Sequence, residues 1–175
     1  MRNPTMELPP NAVSEPVPDV IDSNDFTPRL ISLLSNSLVW RESRILRARF
    51  GLGTNDWRVL SVLAIRPGVT ASEISDFVAM NKAIISKSVG VLTARRLIVQ
   101  VEDTGRSRQL FLTPEGVEMH DAMLPVSMRG QEIILADLTA EEVVQLNQLL
   151  RRLLARAPEL HAQDSLDQRE VAEDA

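Results

Sequence analysis

The tract TASEISDFVAMNKAIISKSVGVLTARRLIVQVEDTGRSRQLFLTPEG, residues 70–116, constrains the fold more than any other part of the chain. Thr70 and Glu73 have the spacing of a capping box: the hydroxyl takes one orphan N–H at a helix start and the carboxylate reaches back for another. Ile74, Phe77 and Val78 supply the buried side of that first helix. A break at Ala79-Met80 leads to Asn81, a favourable N-cap. The helix that follows carries Ile85, Val89 and Leu92 at i, i+4 and i+7. Two helices of about eight and fourteen residues across a tight turn have the spacing of a helix-turn-helix. LIVQV and RQLFLT come next, both short and rich in strand formers. They flank a loop holding Arg106, with Arg108 at its far edge. A helix-turn-helix followed at once by a two-stranded hairpin is a winged helix.

The rest of the chain reads as helix. Thr27 is the expected N-cap of a first helix, with Pro28 at its first position, running to about Arg49 and stopping near Gly51 and Gly53. Leu30, Leu34 and Leu38 recur along it every four residues. Thr54 is expected to cap a second helix that ends at the Pro67-Gly68 turn. Thr113 caps a fifth, with Pro114 at its first position and a kink expected at Pro125. Thr139 and Glu142 form a second capping box. The last helix carries Val143, Leu146, Leu150 and Leu153 and is expected to stop before Pro158. The expected fold class is therefore mainly α with a small β-hairpin wing. The expected organisation is a proline-rich acidic arm over 1–25, a regulator domain over 26–158 and an acidic disordered tail over 159–175. Within the domain, 54–113 is the DNA-binding lobe, and 26–50 with 114–158 are dimerisation helices. The last apolar stripe is too long for one small lobe to cover, so a two-fold dimer is expected to bury it.

Charge looks wrong for a nucleic-acid partner until it is located. The whole chain carries −5. Residues 1–25 set Arg2 against Glu7, Glu15, Asp19, Asp22 and Asp25, for −4. Residues 159–175 set Arg169 against six acids, for −5, which leaves the body at +4. All of that excess equals the balance of residues 82–108, where Lys82, Lys87, Arg95, Arg96, Arg106 and Arg108 face Glu102 and Asp103. Such asymmetry is the footprint of a polyanion partner, although a solvated charged face produces it too. The absence of cysteine removes thiol chemistry and fits a reducing cytoplasm. No apolar run long enough for a membrane span and no signal peptide is visible.

In order and spacing, NDWRVLSVLA, TASEISDFVAMNKAIISKSVGVLTARRLIVQ, GRSRQLFLTPEG and LTAEEVVQLNQLLRRL resemble the second helix, helix-turn-helix, wing and last helix of the MarR family of bacterial regulators. The resemblance covers about residues 26–157. It departs from the family pattern at Thr104, where the family often has Asp, and at Arg96, where it often has Gly. It implies a homodimeric repressor that binds a pseudo-palindromic operator in double-stranded DNA. It also implies a small effector, an aromatic acid or its thioester, bound where the lobe meets the dimerisation helices.

The residues fit these roles. With Ile85, Val89 and Leu92 inward, Lys82, Ser86 and Lys87 fall on the exposed side of the recognition helix, in the half that enters a major groove. Asn81 and Lys82 lie where free N–H groups favour phosphate, and Ile84 suits a thymine methyl. Thr70 and Ser72 are candidate phosphate donors. By resemblance Arg106 enters the minor groove, and Arg108 meets phosphate. Candidate effector residues are Trp40 and Arg44 on the first helix, Trp57 on the second, and His120 and Met123 on the fifth. A core role for Trp57 and a surface role for His120 compete with that reading. No cofactor, metal site or enzymatic constellation is expected: there is no supported Ser/His/Asp set, no phosphate-cradling glycine loop and only two histidines. The alternatives are a winged helix serving protein–protein contact, an activator without a small-molecule ligand, and an enzyme acting on a small aromatic acid.

Overall fold

The computed structural model describes residues 9–22, 24–102 and 108–173, with 161–173 described by backbone alone. The elements are α1 (Thr27–Phe50), α2 (Thr54–Ile65), α3 (Ala71–Phe77), α4 (Lys82–Ala94), β1 (Ile98–Glu102), β2 (Arg108–Leu112), α5 (Pro114–Ile134) and α6 (Ala140–Glu173). This is the expected mainly helical fold with a two-stranded antiparallel hairpin. The chain divides into two compact units within α1, after Arg41. In the first unit Leu30, Ile31, Leu33 and Leu34 of α1 are all exposed.

The second unit holds the core. Trp57, Val59, Leu60, Val62 and Leu63 of α2 pack with Ile74, Ile85, Val89, Leu92, Ile98, Leu110, Met123 and Val126. The hairpin pairs Ile98 with Leu112 and Glu102 with Arg108. A short edge extends it. The Gly68 amide donates to the Leu110 carbonyl at 2.9 Å, and the Leu110 amide donates to the Val69 carbonyl at 3.1 Å. Gly68 makes this possible at φ +86, a conformation natural to glycine.

Four local expectations are corrected. Helix α1 starts at Thr27 itself, because the Phe26 carbonyl accepts from Arg29 and Leu30. Gly53, not Thr54, is the N-cap of α2, and the Asp56 carboxylate takes its amide at 2.8 Å. Phe77 is 52% exposed, since the two-turn α3 turns Ile74 and Ser75 inward, and the Arg66 guanidinium lies 5.4 Å from the Phe77 ring centre. Helix α6 does not stop before Pro158 but continues to Glu173, across the segment read as a disordered tail. An interior proline removes one helical hydrogen bond. Good helix formers surround Pro158, and Arg156 and Glu159 pair across it at 2.7 Å. The expected helix also runs through Pro125 within α5.

Candidate nucleic-acid interface and effector site

Both helices of the helix-turn-helix start as their sequences dictate. Thr70 Oγ1 accepts the Glu73 amide, while the Thr70 amide and hydroxyl donate to the Glu73 carboxylate at 2.7 and 2.8 Å. These bonds, the backbone one first, with Arg66 nearby, hold the Glu73 carboxyl below its ordinary value. The single Thr70 hydroxyl proton thus points into the cap, whereas Ser72, two residues on, is exposed. Asn81 Oδ1 accepts the Ala83 amide at 2.8 Å and opens α4. Along α4, Ile85, Ser88, Val89 and Leu92 are buried. Lys82, Ile84, Ser86 and Lys87 share the exposed side. The structure therefore brings these four side chains together on one solvent face beside the capped N-terminus.

Each end of α4 is bounded by a left-handed residue that is not glycine: Ala79 at φ +50 and Arg96 at φ +58. Around Arg96 the closure is a full Schellman motif. The Arg96 amide reaches the Thr93 carbonyl, and the Leu97 amide reaches that of Leu92, at 2.9 and 3.0 Å. The Met80 amide to the Ser75 carbonyl makes the same closure in the turn between α3 and α4. From the end of α4 the chain enters the hairpin directly. Arg108 opens β2 opposite Glu102, with Nη2 and Oε1 3.6 Å apart on an exposed edge. Arg106 lies outside the described residues. An open groove of about 540 Å³ runs between Thr93 and Arg96 on one side and the hairpin's Ile98, Gln100 and Arg108 on the other.

The expected effector residues separate into two sets. Trp57 and His120 stack, ring centres 5.2 Å apart and planes 24° apart, where α2 packs on α5. His120 Nδ1 also lies 2.9 Å from Asp121 Oδ1. Met123 is one turn further along α5, fully buried in the core that includes Trp57. Trp40 lies in the first unit, 81% exposed, and Arg44 is exposed on α1. Helix α1 is tied to α5 beyond Arg41 by the Ser127 hydroxyl donating to Glu42. Among the described residues, no cluster of acids and histidines is placed to hold a metal ion.

Residues 50–109 match the MarR family. That stretch spans α2, α3, α4 and β1. A MarR/EmrR family transcriptional regulator from Acinetobacter sp. ADP1 is 26% identical, with a TM-score of 0.73 over 79% of this chain and 99% of that one. A MarR family regulator from Silicibacter pomeroyi is 22% identical, with a TM-score of 0.71 over 76% and 90%. PcaV from Streptomyces coelicolor, a transcriptional regulator solved with its natural ligand, is 24% identical, with a TM-score of 0.67 over 79% and 99%. No curated protein matches the chain in sequence. The matched family and these neighbours are transcriptional regulators, not enzymes. Among the described residues no helix is long and apolar enough to cross a membrane.

In this lobe, three features escaped the sequence. The stack of Trp57 on His120 joins residues far apart in the chain, with no periodic signal to connect them. Arg58 lies half-buried, Nη1 3.1 Å from Met80 Sδ, which no motif announces. Thr113 links three elements: its hydroxyl donates to the Arg96 carbonyl at 2.8 Å and accepts the Gly116 amide, and its own amide donates to Leu97. Only its capping role was readable.

Proposed function

We propose that this MarR-family regulator is a homodimeric cytoplasmic repressor. It binds a pseudo-palindromic operator and leaves it when a small aromatic carboxylate, or the corresponding thioester, binds near Trp57 and His120. One observation carries the DNA reading. Helix α4 buries Ile85, Val89 and Leu92 and leaves Lys82, Ile84, Ser86 and Lys87 on one exposed face beside the hairpin. A helix so placed reads base edges with its N-terminal half. The exposed rows on α1 and α6, including Leu30, Leu34, Leu153 and Leu154, support burial against a second copy. The stacked aromatic pair between α2 and α5 supports an aromatic effector.

The test is binding to duplexes tiled across the DNA upstream of the gene, followed by fluorescence anisotropy. Lys87→Ala and Ser86→Ala are expected to weaken the selected duplex by about 1–3 kcal/mol each, with little change on random duplex. Equal loss on both duplexes assigns the residue to phosphate. Unchanged binding on both removes α4 from the interface and defeats the reading.

A further inference from the structure

Arg96 stands where the backbone gains nothing from an arginine. Its φ of +58 lies in the left-handed region, where a side chain costs free energy and glycine does not. The surroundings hold it there: its amide donates to the Thr93 carbonyl, and its carbonyl accepts the Thr113 hydroxyl at 2.8 Å. Closing the helix needs only that backbone, not a cation. A side chain kept at such a position calls for a functional account. Arg96 is exposed, and no carboxylate pairs with it among the described residues.

The open groove of about 540 Å³ between the end of α4 and the hairpin is lined by Arg96 and also by Arg108. The Gln100 side-chain amide donates to the Thr93 hydroxyl at 3.0 Å and ties the hairpin to the helix there. One acid lines the groove, Glu102, whose Oε1 lies 3.6 Å from Arg108 Nη2 with both side chains mostly exposed. An exposed pair of that kind is weak and easily given up. The groove therefore sets two cations against one acid, and one of the cations has no partner.

We propose that this groove takes the sugar-phosphate strand bordering the major groove that α4 reads, with Arg96 and Arg108 on its phosphates. This deepens the DNA reading above and rests on it. A helix with its side chains is about 10–12 Å across, and the major groove is about 12 Å wide. Helix α4 therefore fills that groove, and whatever stands beside it meets the bordering strand. What stands beside it is the hairpin, across the space that Arg96 and Arg108 line. The 13 residues of α4 extend about 20 Å, so its last turn lies well beyond the bases that its first half reads. The planar fork of a guanidinium suits phosphate oxygens. Arg96 thus sacrifices some folding stability for a contact that positions the protein and carries no sequence information.

The test is anisotropy of full-length protein on the selected upstream duplex and on random duplex across a salt series, beside urea midpoints. Arg96→Gln keeps the left-handed backbone and removes the charge. It is expected to weaken both duplexes alike, about five- to tenfold near 0.1 M salt, and to make the log–log salt slope shallower by about 0.9. Arg96→Gly should lose the same affinity while raising the urea midpoint, so misfolding cannot account for the loss. Arg96→Lys, which keeps the charge, should keep the parent slope. Glu102→Gln frees Arg108 and removes a charge that repels phosphate, and should tighten both duplexes about two- to fivefold. If Arg96→Gln and Arg96→Gly keep the parent's affinity and slope, no phosphate sits at Arg96: the inference fails, and the reading of α4 is left to Lys87 and Ser86. A loss confined to the selected duplex makes Arg96 a base contact and overturns the phosphate assignment. Unchanged or weaker binding by Glu102→Gln takes the strand off the hairpin side of the groove and overturns it too. If the parent binds neither duplex, the DNA reading falls and the groove with it.

Discussion

Gly116 is the residue on which the base of the winged helix closes. A Cβ built there falls 1.9 Å from the Leu97 carbonyl oxygen, which is backbone and has no room to yield. Gly116→Ala is therefore expected to cost about 3 kcal/mol, the upper end of overpacking penalties, measured as a lower urea midpoint at unchanged m-value. Arg96 presents the opposite case. A left-handed residue with a side chain costs about 1–2 kcal/mol, and glycine's extra freedom when unfolded returns about 0.4–1 of that. Arg96→Gly should then stabilise the fold by about 0.5–1 kcal/mol on the same assay. Ala79→Gly, in the turn before α4, is expected to shift stability in the same direction. A fall in stability in both variants would contradict the left-handed geometry at these caps.

At the scale of elements, α3 depends on its capping box for a hydrogen-bonded start. Its Glu73 carboxyl is held below the ordinary 4.5 by hydrogen bonds from Thr70. The sign follows from linkage: a lowered folded value gives stability that is present above the unfolded value and lost as pH falls through the folded one. Denaturation midpoints of the parent should therefore drop on acidification below the usual glutamate range. Glu73→Gln should flatten that part of the profile, because an amide keeps the spacing but does not titrate. The cap was legible because Thr70 and Glu73 are three residues apart in one short segment, and so were Asn81 and the Thr139–Glu142 box. Elements whose evidence is local were read well. What depended on distant partners was not. Gly53 displaced Thr54 as the α2 cap because Asp56, not the threonine hydroxyl, reaches the free amide. Phe77 followed the apolar pattern yet stayed exposed, because a two-turn helix has only a narrow buried side. Pro158 looked like a terminus, but a single missing bond does not end a helix in which Arg156 and Glu159 pair across the proline. For the site, the exposed face of α4 followed from its periodicity, whereas the Trp57–His120 stack and the Arg58–Met80 contact exist only once α2, α3 and α5 are packed.

For the molecule as a whole, charge is segregated: −4 over residues 1–25, −5 over 159–175 and +4 between them. An acidic protein can still bind DNA if its one basic stretch meets the phosphates, and the binding should then fall steeply with salt. About six neutralised phosphates give a log–log slope of about −5. A slope near zero on the selected duplex would point to contacts other than phosphate and favour a protein partner. The exposed leucines of α1 and α6 make a second whole-molecule prediction. Light scattering at micromolar concentration is expected to report a dimer, and charge placed on the stripe, as in Leu153→Glu, should yield monomers with weaker operator binding. A stable monomer that keeps full operator affinity would remove the two-fold arrangement.

Thr113 and Gly116 have a mechanical meaning. Through them the last turn of α4, the first pairing of the hairpin and the first turn of α5 share a single knot, made of bonds of 2.8 to 3.0 Å and one backbone-to-backbone contact without slack. A hinge needs somewhere to bend, and this junction offers none. If the proposed effector response tilts α5, these bonds would carry the end of α4 and the base of the hairpin with it. Thr113→Val keeps the size but removes the hydroxyl at the centre of the knot. It is expected to speed amide exchange at Gly116 and to weaken the transmission of effector binding to DNA release. Unchanged exchange and unchanged release would show that the lever has its fulcrum elsewhere.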